Sequence, residues 1–559
     1  MGESPHYVPE ELLEEENMTP TSAIMAGVTV LTALAHASAA DAAPRSPHTW
    51  GRWEQRLTSD KTYATPCADV NVQVTYHGPG GRTLNGYGFW DGGSTYVIRC
   101  AFPAPGRWTW ETHCSDPTNK GLDGQAGEVR VTPYHGANPL YRHGFLRVSD
   151  NLRYLCYADG TPFLWLGDTA WAAPLLATDA DWATYLDNRV RKRFSVIQVA
   201  IAPWWAGKVD AKGVQPFTGE GITHPTPAFW RDYDAKIQAA NEKGLALLIV
   251  GVMEPTTRYP EADEARQFAH YLASRLFGNF VIYSPSFDSP YMELANTVGE
   301  ALRQTTSVQL ITEHPGTPSG RPINPWATAY HTQPYLDFSG DQSGHNGGNR
   351  ELCARQAIEW NLGLWNLTPT KPVIHLEAMY DAHGVTGWTA SDARSLGWRG
   401  WLSGALGYTY GAGDIPPKVP GMHGGIYHWD DNPVDEDYWR KAMDWKSSDQ
   451  MTLMRDFFAS VQWWRLQPAF GQVENQPADW TLKMPFAKTP NGDLAAAYLP
   501  DNDGIDISMS GFAAPVAARW FDPVHGGYQA IPGAIQPGGA HHFQAPARGE
   551  WVLELQKAP

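Results

Sequence analysis

The sequence contains eight apolar runs of strand length: PFLWLGD (162–168), FSVIQVAI (194–201), LALLIVGV (245–252), FVIYSPSFD (280–288), VQLITEH (308–314), YLDFSGDQ (335–342), PVIHLEA (372–378) and GALGYTY (404–410). Helical patterns fill most of the intervals, and a last one follows at residues 449–465. Eight strand–helix units in about 300 residues are typical of a (β/α)8 barrel. We therefore predict an α/β protein with a TIM barrel at its centre.

The segments on either side of the barrel have β-type sequence with frequent Gly and Pro. VNVQVTYH, STYVIRCAF and RWTWETHC precede it, and DLAAAYLP, DISMSGF and GEWVLELQ follow it. Short alternating runs separated by turn residues predict antiparallel sandwiches. We predict an N-terminal β-sandwich over residues 46–134, the (β/α)8 barrel over residues 135–467 and a C-terminal β-sandwich over residues 468–559.

The composition excludes several classes of protein. With 42 Lys+Arg and 59 Asp+Glu the net charge is −17, which repels phosphates, so no nucleic-acid partner is expected. An apolar content of 42% excludes a disordered chain. The five cysteines include no CxxC pair, which argues against a zinc ribbon. If the protein is exported, there is room for one disulfide among Cys67, Cys100 and Cys114, with the pair left open.

Residues 1–45 are predicted to be an N-terminal extension with a signal peptide that starts at Met18. Ala23–Ala40 is uncharged and rich in alanine, and small-residue sites suited to cleavage follow. The expected location is secreted or periplasmic, and the alternative is an N-terminal extension of a cytoplasmic enzyme. No other stretch reaches the ~18 uninterrupted apolar residues that a membrane span needs, so no membrane span is expected.

Two carboxylates at strand ends are the candidate catalytic pair. Asp288 follows the fourth run and Glu377 ends the seventh, and in such barrels the working groups lie at the carboxyl ends of the strands. Hydrolysis of a glycosidic bond needs one carboxyl to protonate the leaving oxygen and another to attack or to activate water. The alternative is that Asp288 caps the helix starting near Pro290, in which case Glu313 or Glu254 becomes the acid.

Alternation along PVIHLEA supports the choice of Glu377. If Ile374 and Leu376 face the helices, then Val373, His375 and Glu377 face the barrel axis. A carboxylate that points into a barrel mouth favours catalysis over a structural role.

Other polar and aromatic residues near the strand ends are predicted to bind the sugar. Asp, Gln, His and Tyr can hydrogen-bond to hydroxyl groups, and Trp can stack on a ring face. The candidate substrate-binding residues are Asp168, Trp171, Gln198, Trp204, His314, Gln342, His345 and Tyr410. No metal or cofactor is expected.

Several motifs resemble those of the apiosidase-like glycoside hydrolases. They are WLGDTAW (165–171), VIQVAIAP (196–203), HP (314–315), LDFSGDQSGH (336–345), KPVIHLEAMYD (371–381) and GYTYG (407–411). The resemblance implies a barrel between two sandwiches, the second of a type labelled collagen-binding. It also implies that Asp288 is the acid/base and Glu377 the nucleophile of a retaining enzyme. The expected substrate is a plant or microbial polysaccharide or oligosaccharide, with furanosides such as apiose as one candidate.

Three other functions compete with hydrolysis of a glycoside. His314, Asp337, His345 and His375 could converge in a metal-dependent amidohydrolase, but the first strand lacks the usual His-x-His. A serine hydrolase needs a nucleophile elbow, and no GxSxG occurs. A non-catalytic polysaccharide-binding or adhesion protein is the main alternative, and it would bind polysaccharide without releasing product.

Overall fold

The computed structural model describes residues 47–202, 209–219, 221–256, 258–289, 291–317, 323–343, 348–381, 387–414, 424–425 and 438–558. The predicted signal peptide and the candidate residues Trp204 and His345 lie outside these described residues. Within the described ranges, no helix combines the length and the apolar character needed to cross a membrane.

The N-terminal runs form a six-stranded antiparallel sheet in the order β1-β4-β3-β2-β5-β6. The strands are β1 (Arg52–Thr58), β2 (Val72–Gly78), β3 (Arg82–Trp90), β4 (Thr95–Ala101), β5 (Gly106–Cys114) and β6 (Ala126–Val131). Strand β3 pairs with β2 through residues 82–88 and with β4 through Phe89 and Trp90. This change of partner lets the sheet fold over an apolar core that includes Tyr76 and Trp108.

The barrel strands overlap all eight predicted runs, which confirms the predicted TIM-barrel fold. Helix α1 (Pro139–His143) and the antiparallel pair β7 (Leu146–Val148) and β8 (Leu155–Tyr157) lead into the barrel. The eight parallel strands are β9 (Trp165–Thr169), β10 (Val196–Ala200), β11 (Ala246–Val250), β12 (Val281–Ser284), β13 (Leu310–Ile311), β14 (Ser339–Gln342), β15 (Val373–Glu377) and β16 (Ala405–Tyr410).

The barrel closes between β13 and β14 through individual hydrogen bonds. The sheet ladder runs from β13 back to β9 and on through β16 and β15 to β14. Across the remaining gap the Asp337 N–H donates to the Ile311 carbonyl over 2.9 Å, and the Thr312 hydroxyl donates to the Phe338 carbonyl over 2.9 Å. These bonds join β13, which has only two residues, to its neighbour.

Helices cover the outside of the barrel. They are α2 (Ala173–Leu176), α3 (Asp179–Arg191), α4 (Pro227–Glu242), α5 (Ala262–Arg275), α6 (Met292–Thr305), α7 (Pro325–His331), α8 (Arg350–Trp365), α9 (Ala390–Leu402), α10 (Tyr438–Ala442) and α11 (Lys446–Ser460). Side-chain caps fix several starts: Thr178 accepts a bond from Asp181 N–H at α3, and Thr389 forms a capping box with Asp392 at α9.

The C-terminal residues return to antiparallel strands with an apolar core of their own. After the short pair β17 (Gly413–Asp414) and β18 (Gly424–Gly425), the strands are β19 (Gln467–Pro468), β20 (Phe486–Lys488), β21 (Leu494–Leu499), β22 (Gly504–Ser508), β23 (Val516–Phe521), β24 (Tyr528–Ile535), β25 (Ala540–Gln544) and β26 (Trp551–Lys557). Six of them form one sheet in the order β19-β20-β21-β26-β23-β24, and β22 pairs with β25.

The three cysteines considered for a disulfide are thiols in this structure. Cys100 and Cys114 are buried, and Cys67 is partly buried. Burial raises the pKa of the Cys67 thiol to about 12, because the thiolate would lose its hydration.

Arg275 on α5 links the barrel helices to the N-terminal sheet. Its Nη2 lies 3.0 Å from Asp91 Oδ1, and its Nε lies 2.8 Å from Asp234 Oδ2 on α4. Arg99 on β4 lies 3.0 Å from the same Asp234 oxygen. The Phe89 ring lies beside both guanidinium groups, 4.7 Å from Arg275 and 4.8 Å from Arg99. Because these two arginines and two aspartates are buried, the loss of one leaves the other three with an unbalanced buried charge.

We expect Arg275→Met to lower the free energy of unfolding by about 3–5 kcal/mol, because it leaves Asp91 and Asp234 short of a buried partner. The control is Arg107→Met, which removes a 2.8 Å pair with Glu128 whose side chains are 70% and 51% exposed. That change should cost less than about 1 kcal/mol. Urea denaturation followed by tryptophan fluorescence compares the two variants, and equal midpoints would contradict the prediction.

Candidate active site

Asp288 lies just beyond β12, where the chain leaves the rim of the barrel. Phe287 forms an isolated parallel bridge with His314, and the Asp288 N–H donates to the His314 carbonyl over 3.2 Å. Asp288 has φ of +54°, in the left-handed region that residues with a Cβ rarely adopt. Among the described residues, no side chain caps the start of α6 at Met292. The alternative role of Asp288 as a helix cap is therefore wrong.

The faces predicted for the seventh strand are largely reversed. Val373 packs against residues of α7 and α8, and His375 lies against α9. The side chains of Ile374 and Leu376 consequently face the barrel axis. The prediction was wrong for these four residues because both faces of a parallel barrel strand are apolar.

A register shift turns Glu377 back toward the axis. Asp341 on β14 pairs with His375, but the next residue, Gln342, pairs with Glu377, so that Leu376 is skipped. An irregularity of this kind re-aims the side chain that follows it. The structure thus places Glu377 at the barrel mouth through a register shift and not through strict alternation.

His314 and Gln342 join the two carboxylates. His314 Nδ1 lies 3.0 Å from Asp288 Oδ1, and its Nε2 lies 2.9 Å from Glu377 Oε2. The Gln342 amide nitrogen donates to Glu377 Oε2 over 3.1 Å and to Asp288 Oδ2 over 3.4 Å. One oxygen of Asp288 lies within 4.8 Å of one oxygen of Glu377. The predicted catalytic carboxyl groups are therefore neighbours in space.

The two carboxylates differ in their surroundings. The Asp288 side chain is 46% exposed, whereas that of Glu377 is 2% exposed. Tyr380 donates a hydrogen bond to Glu377 Oε1, in addition to the contacts at Oε2. Tyr380 is not among the residues predicted for the site, although it follows Glu377 by only three positions in the motif LEAMY.

His314 is fully buried between the carboxylates. Its ring lies edge-on to those of Trp171 and Phe287, at centroid distances of 5.2 and 5.3 Å. Burial by itself would lower the pKa of His314, but the contacts with Asp288 and Glu377 outweigh this effect and raise the pKa to about 10. The Nε2 contact lacks hydrogen-bond geometry and is an ion pair. His314 therefore connects the carboxylates, which corrects its prediction as a sugar ligand.

Glu313 and Glu254, the alternative candidates for the acid, lie close to Asp288 and Glu377. Glu313 is buried and accepts bonds from Ser286 Oγ over 2.8 Å and from the Tyr335 hydroxyl over 2.9 Å. Burial raises the pKa of Glu313 to about 7. Glu254 accepts from the Phe287 N–H over 3.2 Å, and burial raises its pKa to about 8, with the charge of Asp288 adding to the rise. Both carboxyl groups therefore already accept hydrogen bonds from backbone or side-chain donors.

Three predicted sugar ligands carry buried polar atoms without a partner in the described part of the chain. Both amide atoms of Gln198 are in this state, together with Nε1 of Trp171 and Oε1 of Gln342. Gln198 pairs with Thr169 and Leu248 on the neighbouring strands, so the side chains of Gln198, Thr169 and Leu248 share one face of the sheet. A buried polar group without a partner is costly, so these atoms are suited to a polar ligand.

Asp168 and Tyr410 lie in the helix layer and not at the mouth, which corrects two predictions. The buried Asp168 carboxylate lies 2.7 Å from Arg189 Nε on α3, and the Tyr410 hydroxyl lies 2.6 Å from Ser447 Oγ on α11. The two residues pair across β9 and β16 and so share a face. Trp165, three residues before Asp168, contacts Phe338 across the barrel and marks the inner face.

The residues considered for a metal-dependent hydrolase do not converge among the described residues. Asp337 accepts from the Ile311 N–H over 2.7 Å and pairs with Arg303, while His375 faces α9. The ligand-type atoms of Asp288, His314 and Glu377 are within 4.8 Å of one another. Both nitrogens of His314, however, already face carboxylate oxygens, an arrangement suited to holding protons.

Solved glycoside hydrolases share this fold. One described as a glycoside hydrolase superposes with a TM-score of 0.65 at 22% identity, covering 76% of this chain and 99% of the other. A family 5 glycoside hydrolase from Bacteroides vulgatus gives 0.65 at 20% identity, covering 76% and 96%. A putative glycoside hydrolase from the same organism gives 0.69 at 16% identity, covering 91% and 99%.

Family models match two parts of the sequence. Residues 46–115 match DUF5060, a domain of unknown function. Residues 149–465 match the apiosidase-like catalytic domain. No curated protein matches the sequence. Because the second match spans more than half of the chain and contains both Asp288 and Glu377, the protein belongs to the apiosidase-like family and is a glycosidase.

Proposed function

We propose that the protein is a retaining glycosidase that cleaves an O-glycosidic bond in a plant or microbial polysaccharide or oligosaccharide. The observation that carries this proposal is the separation of Asp288 and Glu377, one oxygen of each lying within 4.8 Å of the other. Retaining enzymes hold their two carboxyl groups roughly 5–5.5 Å apart, and inverting enzymes roughly 6.5–9.5 Å apart to admit a water molecule. The short separation supports the retaining mechanism.

The surroundings of each carboxyl support its role. Glu377 is buried and receives contacts from His314, Gln342 and Tyr380, which fix the direction of its carboxyl group. These are the properties of a nucleophile. Asp288 is half-exposed at the rim, where a leaving-group oxygen can reach it, and so suits the acid/base role.

The substrate proposal combines the family with the mouth of the barrel. The apiosidase-like match makes glycosides of furanose sugars such as apiose the first substrates to test. Gln198, Trp171 and Gln342 offer both donors and acceptors to the hydroxyl groups of a sugar. An exported enzyme, as the signal-peptide prediction implies, would meet such polymers outside the cell.

Removal of the proposed nucleophile gives the first test of mechanism. We expect Glu377→Ala to lose nearly all activity on an aryl glycoside, because no covalent intermediate can form. Azide should restore turnover from the vacated space and give a glycosyl azide of inverted configuration, identified by NMR. The control is Glu293→Ala, an exposed residue of α6, which should retain normal activity. Wild-type turnover by Glu377→Ala, or release of an inverted sugar by the wild type, would contradict these roles.

Removal of the proposed acid should have a different signature. We expect Asp288→Ala to lose about 10²–10⁴-fold in activity on substrates with poor leaving groups, which need a proton, and much less on good ones. Azide should then attack the glycosyl-enzyme and give a product of retained configuration. Kinetics on a series of aryl and alkyl glycosides measures the dependence. Equal losses across the series would argue against acid catalysis by Asp288.

Gln198 allows binding and stability to be separated. We expect Gln198→Leu to reduce kcat/KM by about 10–100-fold, because a hydrogen bond to the sugar is lost. The same change should leave the melting temperature equal or higher, because it removes a buried amide that has no partner among the described residues. Steady-state kinetics and calorimetry measure the two effects. Unchanged kcat/KM would exclude Gln198 from substrate binding.

A further inference from the structure

The contacts of His314 require a proton on each side of its ring. Nδ1 faces Asp288 Oδ1 at 3.0 Å, and Nε2 faces Glu377 Oε2 at 2.9 Å. A neutral imidazole has one N–H and one lone pair, so with two ionised carboxylates it would direct that lone pair at an oxygen. The geometry therefore favours the imidazolium, with one proton in the hydrogen bond to Asp288 and the other on Nε2 in the ion pair with Glu377.

The charges of Asp288 and Glu377 hold that proton against the opposing effect of burial. Glu254 and Glu313 are the other carboxyls nearby, and their pKa values, raised to about 8 and about 7, reduce their negative charge near neutral pH. The rings of Trp171 and Phe287 pack against the imidazole, which is fully buried. No cation lies beside His314 in the described residues, and water does not reach its ring.

Asp288 itself is arranged as an acceptor. Its Oδ1 faces His314 Nδ1, and its Oδ2 accepts from the Gln342 amide over 3.4 Å. Because an imidazole is ordinarily a stronger base than a carboxylate, the resting proton belongs on the imidazole side of the contact. An acid catalyst must nevertheless give a proton to the leaving group at the moment the bond breaks.

From this geometry we infer that His314 is a positioning residue that stores the proton Asp288 delivers to the leaving group. The inference rests on the proposed retaining mechanism and adds the source of its proton. His314 does not touch the substrate, and acts only through Asp288 and Glu377.

The proton and bond changes balance in both steps. In the first, the bond between C1 and the leaving oxygen breaks as a Glu377 oxygen bonds to C1. The leaving oxygen takes a proton from Asp288, Asp288 takes the Nδ1 proton of His314, and the imidazole becomes neutral. In the second, water attacks C1, the ester bond to Glu377 breaks, and the proton of water returns through Asp288 to His314.

The charge on Glu377 determines when the proton leaves His314. While Glu377 is ionised, its charge 2.9 Å from Nε2 holds the imidazolium. Formation of the ester removes that charge, so the affinity of His314 for its proton falls when the leaving group needs one. Hydrolysis of the ester restores the charge and recovers the proton.

Two amide variants separate proton storage from positioning. The side-chain nitrogen introduced by H314N can replace Nδ1 beside Asp288, and the one introduced by H314Q can replace Nε2 beside Glu377, but neither amide can release a proton. We expect both variants to lose about 10²–10³-fold on methyl glycosides and less than about tenfold on 4-nitrophenyl glycosides of the same sugar. The control is His331→Gln, a histidine bonded to Ser339 on the helix side of β14, which should not change this dependence.

A measurement without substrate tests the protonation directly. In the full-length protein labelled with ¹⁵N-histidine, NMR should show His314 doubly protonated near neutral pH, losing a proton as the pH rises through about 10. His375, whose pKa burial lowers to about 4, should be neutral in the same spectrum. Glu377→Gln should lower the pKa of His314, because it removes one of the two facing charges.

The outcomes distinguish this inference from the proposed function. A His314 that is neutral near neutral pH, or losses in H314N and H314Q that are independent of the leaving group, would overturn proton storage and leave the glycosidase proposal intact. Full activity of either variant on methyl glycosides would do the same. Failure of the wild type to turn over any glycoside in the panel would overturn both.

Discussion

The site depends on one buried imidazole shared by two carboxylates. His314 reaches both carboxylates at a point where the fifth and sixth barrel strands, β13 and β14, approach each other closely. A Cβ on Gly340 would lie 2.1 Å from the Glu313 carbonyl oxygen, so only glycine permits this approach. The approach brings Gln342, two residues later, beside the end of β13. An ordinary residue at position 340 would push β14 outward, and the amide that touches both carboxylates would move with it.

The register shift between β14 and β15 is the second constraint. Strict alternation would direct Glu377 to the helices together with Val373 and His375. The shift pairs Glu377 with Gln342 instead and turns its carboxylate inward. Barrel strands are held by packing on both faces, so a local irregularity at the rim costs little while the strand below stays fixed. The proposed nucleophile is thus held by a rigid strand but oriented by a local irregularity at the end of that strand.

The sequence allowed the elements to be predicted better than their faces. Eight apolar runs separated by helical segments predict the barrel. The need of a glycosidase for two carboxyl groups selects Asp288 and Glu377 from the carboxylates at the strand ends. Which face a side chain takes could not be read, because an all-apolar strand shows no alternation. Prediction from sequence therefore places Asp168 and Tyr410 at the mouth, although they bind Arg189 and Ser447 in the helix layer. The bridging role of His314 depends on how strand ends that are far apart in the sequence meet when the barrel closes. No local sequence pattern carries this information.

The same features that suit the site to catalysis make it costly to fold. Asp288 adopts a left-handed backbone, and Gln198 buries an amide that has no partner in the described part of the chain. Each is tolerated because the surrounding barrel is closed and densely packed. Since the raised pKa of His314 means that folding takes up a proton, its contribution to stability is complete below about pH 6.5 and is lost as the pH rises through about 10. The proton that stabilises the fold is therefore the one that the proposed mechanism delivers to the leaving group.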